Sequence, residues 1–307
     1  VVGSNGGVIA TRNIVAQADL VFFIGCRAGS TTTEHWRFPS PNTNIIHLDI
    51  DANTIGVNYK THAPLFGDAK LTLELINLLL QKQIINRTKK VIDGKTLSLQ
   101  SKEEKFAPFL QLAQSNDSPI VPERIVHSLN RLLPKDAIIC ADPGTPCPYF
   151  SASFLSDLPG RHFITNRAHG ALGYAMSAAI GAAIGRPNLK SVAVMGDGSF
   201  GFTVGELETI TRRQLPILMI VISNSVYGWI KASQKSGYDK RYFSVDFERT
   251  DHARVAAAYG IQSWRVDNPL QLDEVLKKAI ESGAPALVDI ISQPLQDAAA
   301  PVSQWMG

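Results

Sequence analysis

Two short stretches of this 307-residue chain hold residue types that could bind a phosphorylated ligand: Gly196-Asp197-Gly198-Ser199, and Asn224, which follows Gly198 after the 25 residues 199–223. One carboxylate and one neutral amide oxygen make an oxygen-rich, weakly charged donor pair. That pair suits Mg²⁺, which keeps part of its coordination shell for phosphate and water. The neutrality of Asn224 matters, because a second carboxylate would repel a polyanion. Gly196 and Gly198 let backbone approach such a ligand. The Ser199 hydroxyl, with the N–H groups of the turn, can donate to a diphosphate in an anion-binding nest. A lone Gly-Asp-Gly usually means an aspartate capping a turn, so Asn224 is what directs the reading toward a metal.

The elements needed to bring these residues together can be read on either side of them. Ser191 to Met195 is an apolar run with the character of a buried parallel strand, and Ile217 to Ile222 is a second. A helical segment, Thr203 to Arg213, separates them. Asp197 and Asn224 then stand at the C-terminal tips of successive parallel strands, the edge of an open α/β sheet where ligands bind. Around them the pattern predicts a helix at Pro122 to Leu133 with proline in its first turn and a strand at Ala137 to Cys140. A Gly/Ala-rich helix follows at Gly170 to Gly185, then a helix at Arg254 to Tyr259 ended by Gly260. Strand Ile261 to Val266, helix Leu270 to Ser282 and strand Ala286 to Ile291 complete the region.

Upstream, Asp19 to Gly25, Asn44 to Asp49 and Ala63 to Gly67 read as strands, and Asp51 as the cap of a short helix at Ala52. Asp68 caps an amphipathic helix at Ala69 to Gln81. The fold class is α/β, two Rossmann-like domains with mainly parallel sheets flanked by helices. The expected division is 1–83, a linker at 84–117 rich in Lys, Gln, Ser and Glu with a helix near Lys105 to Gln114, and 118–307, whose tail Ala298 to Gly307 lies over the surface or meets another subunit.

Apolar residues make up 45% and charged residues 19% of the chain, the balance of an ordinary globular protein, and the formal charge of +3 gives nucleic-acid binding no support. No apolar run is long enough to span a bilayer, and the first residues carry no signal-peptide pattern. Cys26, Cys140 and Cys147 are odd in number and lack zinc spacing, which fits a reduced, cytoplasmic protein.

The spacing Gly-Asp-Gly, 25 residues, Asn resembles the signature of thiamine-diphosphate enzymes, and the stretch Asn166 to Ala183 precedes it in that family's order. Gly25-Cys26-Arg27 and His47 to Asp51 resemble the family's central domain. The likeness covers nearly the whole chain and is greatest in style to acetolactate synthases and 2-oxoacid decarboxylases. It implies thiamine diphosphate and Mg²⁺ as cofactors, with the Val226 carbonyl joining Asp197 and Asn224 on the metal. It gives the Gly170 carbonyl the cofactor's 4′-amino group and makes Leu172 the wedge that bends the cofactor. Thr145, in Ala141-Asp142-Pro143-Gly144-Thr145, would touch the diphosphate, as would the backbone near Tyr227-Gly228. Ser225 stands where the family usually has a second Asn. His169 reads as a helix-flanking hydrogen-bonding residue, Trp229 could face substrate, and Lys231 reads as a solvated surface charge.

The same resemblance implies a 2-oxo acid substrate. It implies a transferase or lyase that decarboxylates and then ligates, as acetolactate synthases do, or alternatively one that only decarboxylates pyruvate- or benzoylformate-type acids. The segment after Arg27, Ala28 to Thr33, lacks the charged pattern of flavin-binding relatives, so no FAD is expected. No catalytic residue is assigned within the chain. The family's cofactor-activating glutamate lies in an N-terminal pyrimidine-binding domain, expected here on another subunit of a homodimer or homotetramer. Val1 to Gly7 read as the inside of a loop and helix from which a domain had been cut, so that the fragment alone would be inactive; the fallback acids are Glu206 and Asp142. A distant alternative is a non-catalytic nucleotide-binding module, but Gly25 with Gly29 lacks the Gly-x-Gly-x-x-Gly spacing that it needs.

Overall fold

The computed structural model describes residues 2–4, 6–83, 94–167 and 169–298. It divides into two units, Val1–Lys105 and Phe106–Gly307. The division falls inside the segment expected to be a linker. Residues 84–93 of that segment, and 299–307 of the expected surface tail, lie outside the described residues. Among the described residues no helix is long and apolar enough to cross a membrane.

The first unit carries α1 (Ile9–Gln17), β1 (Leu20–Ile24), α2 (Ser30–Thr33), β2 (Asn44–Asp49), β3 (Ala63–Phe66) and α3 (Ala69–Gln83), followed by the start of α4 (Gly94–Ala113). Its sheet is three-stranded and parallel in the order β1-β2-β3. Asp68 caps α3 as expected, its Oδ1 accepting from the Leu71 N–H at 3.0 Å. Asp51 does not start a helix. Its Oδ1 accepts from the Asn53 N–H at 2.9 Å and closes a turn, the local bond with which Asp competes against helix. Helix α4 begins earlier than expected, because its polar first half consists largely of good helix formers whose pattern carries no apolar stripe.

The second unit continues with α5 (Pro122–Leu132), β4 (Ile138–Ala141), α6 (Pro146–Ser153), β5 (Phe163–Ile164), α7 (Tyr174–Gly185), β6 (Ser191–Gly196), α8 (Asp197–Thr203), α9 (Glu206–Arg212), β7 (Leu218–Ser223), α10 (Gly228–Gly237), α11 (His252–Ala258), β8 (Gln262–Val266), α12 (Leu272–Glu281) and β9 (Ala286–Ile291). Its six strands run in the order β5-β4-β6-β7-β9-β8, all pairings parallel. Side chains alternate along each strand between two cores. Val192, Val194, Ile220 and Ile290 pack with residues of α5, α6 and α12. Ala193, Met195, Met219 and Leu287 pack with residues of α7, α9 and α11. Burial on both faces is why these strands read as unbroken apolar runs. The chain leaves β4 toward β5 on one side and returns to β6 on the other, so the switch point lies between the tips of β4 and β6, where the sheet opens a crevice for ligands.

Five elements differ from expectation. The Gly/Ala helix starts at Tyr174 rather than Gly170, because Gly170 and Gly173 sit at φ +79° and +85° and end any helix before it. The Gly196 to Ser199 segment is not a turn: Asp197 already opens α8. Helices α6 and α10 and the short edge strand β5 went unread, since Pro- and Gly-containing stretches mask helical periodicity.

Asp142, just past β4, holds the start of α7 from outside. Its Oδ1 accepts from the Tyr174 N–H at 2.8 Å and the Ala175 N–H at 3.3 Å, while its buried Oδ2 has no partner. Burial raises its pKa from 3.8 to about 6 against the opposing pull of those amides. A raised carboxylate pKa means that the folded state keeps a proton the unfolded chain has already released. Stability therefore falls as pH rises from about 4 to 6. Asp142→Asn retains the acceptor and removes the buried charge, so its stability relative to the parent should improve across that window and hold at pH 7.5. Urea-unfolding midpoints at pH 4.5 and 7.5 measure this. A variant that loses ground with rising pH would mean that the charge itself holds α7.

Candidate functional site

A cavity of about 230 Å³ opens at the switch point, between the segments that follow β4, β5, β6 and β7. Of the residues singled out in the sequence, Thr145, Gly170, Leu172, Gly196, Asp197, Gly198, Ser199, Val226, Tyr227 and Gly228 all line it. Asn224 stands behind this wall, bonded to Asp197. Thus residues from four separate segments meet at one edge of one sheet.

Asp197 is buried at the first position of α8. Its Oδ1 accepts from the Gly198 N–H at 2.8 Å, and its Oδ2 accepts from the Asn224 and Ser225 N–H groups at 2.7 and 2.6 Å. Burial raises its pKa, and the three amides and the His252 side chain pull it back. To turn both amides toward one oxygen, Ser225 takes φ +57°, a left-handed conformation uncommon outside glycine. The Gly198 N–H is thereby spent on Asp197 instead of facing a ligand, which corrects the expected nest at that atom. Asn224 Oδ1 accepts from the Val226 N–H at 3.3 Å, and its buried Nδ2 has no partner.

The glycines have separable roles. A Cβ on Gly196 would meet no heavy atom within 4 Å, so that position leaves cavity space. On Gly198 it would fall 2.6 Å from Cε1 of Tyr227, whose ring lies against this backbone and 5.1 Å from the Phe247 ring. On Gly228 it would come within 3.1 Å of both Thr145 Oγ1 and Leu295 Cβ, so packing already requires glycine at the start of α10. Leu172 belongs to the loop before α7, and its Cδ2 would lie 3.5 Å from a Cβ on Gly144.

Arg167 and the trio Ser223, His252 and Asp289 went unread in the sequence, whereas Trp229, expected to be able to face substrate, lines the cavity. Arg167 lines the cavity with its guanidinium carbon 5.0 Å from the centre of the Trp229 ring, which also lines it. Lys231 is no solvated charge: it pairs with Asp246 at 2.5 Å and lies 5.0 Å over the Tyr242 ring. Beneath Asn224, the Ser223 hydroxyl donates to Asp289, and the His252 Nδ1 meets the same hydroxyl at 3.1 Å. Asp289 Oδ2 accepts from the His252 backbone N–H at 3.1 Å. A carboxylate inside the apolar run Ala286 to Ile291 was the available signal, because such a group needs partners. The serine proton is directed at Asp289, so the trio braces the strand tips rather than activating a nucleophile. His169 is exposed, its N–H closing a turn to the Asn166 carbonyl at 3.0 Å.

The acids offered as fallback activators do not line the cavity; Asp197 is its one acidic lining residue among the described residues. Nor do three or more His, Cys, Asp or Glu side chains gather as a metal cluster among the described residues. In the first unit a polar pocket of about 400 Å³ lies beyond β1 and β2, lined by Arg27, Gly29, Asn53, Thr54, Val57 and Asn58.

Two models of one family match the chain. The thiamine pyrophosphate enzyme C-terminal TPP-binding domain matches residues 144–290, and the central domain of the same enzymes matches residues 1–76. A probable acetolactate synthase large subunit of Methanocaldococcus jannaschii is 30% identical over 94% of this chain and 49% of its own length. The acetolactate synthase isozyme 3 large subunit of Escherichia coli is 28% identical over 90% and 47%. The acetolactate synthase large subunit of Porphyra purpurea is 29% identical over 90% of this chain and 46% of its own length. The chain therefore spans about half the length of these relatives. With both domain models in sequence order and the first-matched glycines and carboxylate gathered at one sheet edge, the chain belongs to the thiamine pyrophosphate enzyme family.

Proposed function

We propose that this chain is the cofactor-holding part of a thiamine-diphosphate- and Mg²⁺-dependent enzyme that decarboxylates a 2-oxo acid and joins the remaining acyl unit to a second one. The observation that carries this reading is the meeting of Asp197, Gly196, Thr145, Gly170 and Leu172 around one cavity. The donor set fits Mg²⁺: Asp197 offers a carboxylate with a lone pair beyond its three amide bonds, Asn224 offers Oδ1, which accepts one long bond from the Val226 N–H and keeps a second lone pair, and Val226 adds a backbone carbonyl. Thr145, Ser199, Gly198 and Gly228 would flank the diphosphate, with the Tyr227 ring beside it. The Gly170 carbonyl and Leu172 would face the pyrimidine end.

Bound thiamine diphosphate supplies a carbon nucleophile and an electron-accepting ring. The chain's own residues bind, orient and shield it. Asp197 is unsuited to proton transfer, because three amides hold its carboxylate. We therefore place the activating carboxylate outside this set, on a pyrimidine-binding domain contributed by another subunit of a homodimer or homotetramer. The relatives' names, which call them large subunits, leave room for a further, smaller partner. Three free cysteines fit a reducing cytoplasm. The segment after Arg27 supports a protein without flavin.

In the full-length protein, titration calorimetry should detect thiamine diphosphate binding with Mg²⁺ and lose most of it with chelator. Asp197→Ala should lower the Mg²⁺-supported affinity at least about 100-fold. Equal binding with and without the metal would remove the metal bridge. The same sample should lack the visible absorbance of oxidised flavin, and a stoichiometric yellow chromophore would refute the flavin-free reading.

A further inference from the structure

Arg167 is the one cation lining the cavity among the described residues. It is half-buried, its guanidinium carbon lies over the Trp229 ring 5.0 Å from the ring centre, and it forms no ion pair among the described residues. Stacking on an aromatic face fixes the plane of a guanidinium while leaving its N–H edge for a bidentate acceptor. Leu172, Val226 and Ile230 make the surrounding wall apolar, where a charge interaction is stronger than in water. A guanidinium held there without an ion pair among the described residues calls for an anion from the ligand.

Which anion follows from charge. In decarboxylation the carboxylate beside the carbonyl leaves as CO₂, and the electron pair of the broken bond stays on the former carbonyl carbon. An arginine on that carboxylate would stabilise a charge that the transition state must lose, and would slow the step. We propose that Arg167 anchors a carboxylate that survives the reaction, so that this site selects substrates carrying an anionic group besides the one lost. This inference rests on the 2-oxo acid reading above. The surviving carboxylate has two sources, the distal group of a dicarboxylic donor or the carboxylate of a 2-oxo acid acceptor. Arg167 is then a specificity residue, and Trp229 positions it.

The test uses the full-length enzyme loaded with thiamine diphosphate and Mg²⁺, as parent, Arg167→Gln and Arg167→Lys. The lysine variant keeps the charge but loses the planar, forked guanidinium. Turnover is compared for pyruvate and 2-oxoglutarate as donors, and for pyruvate and acetaldehyde as acceptors. Arg167→Gln should lower kcat/KM at least about 30-fold in whichever arm retains a carboxylate. The corresponding neutral arm and the cofactor affinity should stay within about threefold, and Arg167→Lys should recover little. A fall in the donor comparison assigns the distal group, and a fall in the acceptor comparison assigns the acceptor. Equal losses in all arms together with lost cofactor affinity would overturn the proposal and assign Arg167 to the diphosphate; no loss in any arm would overturn it too. A second readout does not need turnover: glutarate, an unreactive dicarboxylate, should change the fluorescence of Trp229 saturably in the parent and not in Arg167→Gln, with Trp229→Phe identifying the signal. If the parent turned over none of these acids, the proposed function would fall, and the glutarate titration would still decide the role of Arg167.

Discussion

The architecture of this site depends on one carboxylate satisfied by backbone. Asp197 leaves the tip of β6 and takes the amides of Gly198 in its own helix and of Asn224 and Ser225 beyond β7. That set of bonds locks two strand tips together and explains the local backbone, including the left-handed Ser225. It also aims the chain into Val226, Tyr227 and α10, whose first residue packs against Thr145 from the β4 side. Burying a carboxylate opposes its ionisation, and the three amides are what keep the charged form tenable. A cation placed here would add to the pull of the amides, which burial still outweighs.

Asp142 repeats the device one strand away, capping α7 from the tip of β4. Two neighbouring tips thus each end in a buried aspartate that organises the next element, and the switch point lies between them. The glycine conformations then follow: Gly170 and Gly173 carry the loop around the cap, and a Cβ on Gly173 would approach Thr203 Cγ2 to 2.9 Å. Below, Ser223, His252 and Asp289 close a polar contact inside an otherwise apolar sheet. Its partners are satisfied among themselves, the condition under which a buried polar group is tolerated.

Much of this was legible because parallel strands buried on both faces leave an unmistakable trace. The runs at Ser191 and Ile217 lie where β6 and β7 form, and their tips place Asp197 and Asn224 side by side. What failed to show was the chemistry of single atoms. Nothing in Gly-Asp-Gly says that the Gly198 amide turns inward, because that depends on where Ser225 folds back. Arg167 and Trp229 are 62 positions apart by their numbers and meet only through the loops after β5 and β7. Lys231 gave no sign of Asp246 for the same reason. Helix α6 was hidden by Pro146 and Pro148, whose presence in the first turn is compatible with a helix although proline usually argues against one.

We propose that Asp197, held by those amides, also carries a cation that meets the cofactor's diphosphate. The most direct measurement substitutes Mn²⁺ for Mg²⁺ in the full-length protein with thiamine diphosphate and reads the phosphorus couplings of the bound ion by pulsed electron–nuclear double resonance. Asp197→Asn serves as the companion, since it keeps an acceptor for the amides and removes the charge. Strong phosphorus coupling is expected in the parent, with loss of the bound Mn²⁺ signal in the variant at the same metal concentration. A parent spectrum without phosphorus coupling, or one that Asp197→Asn leaves unchanged, would contradict it.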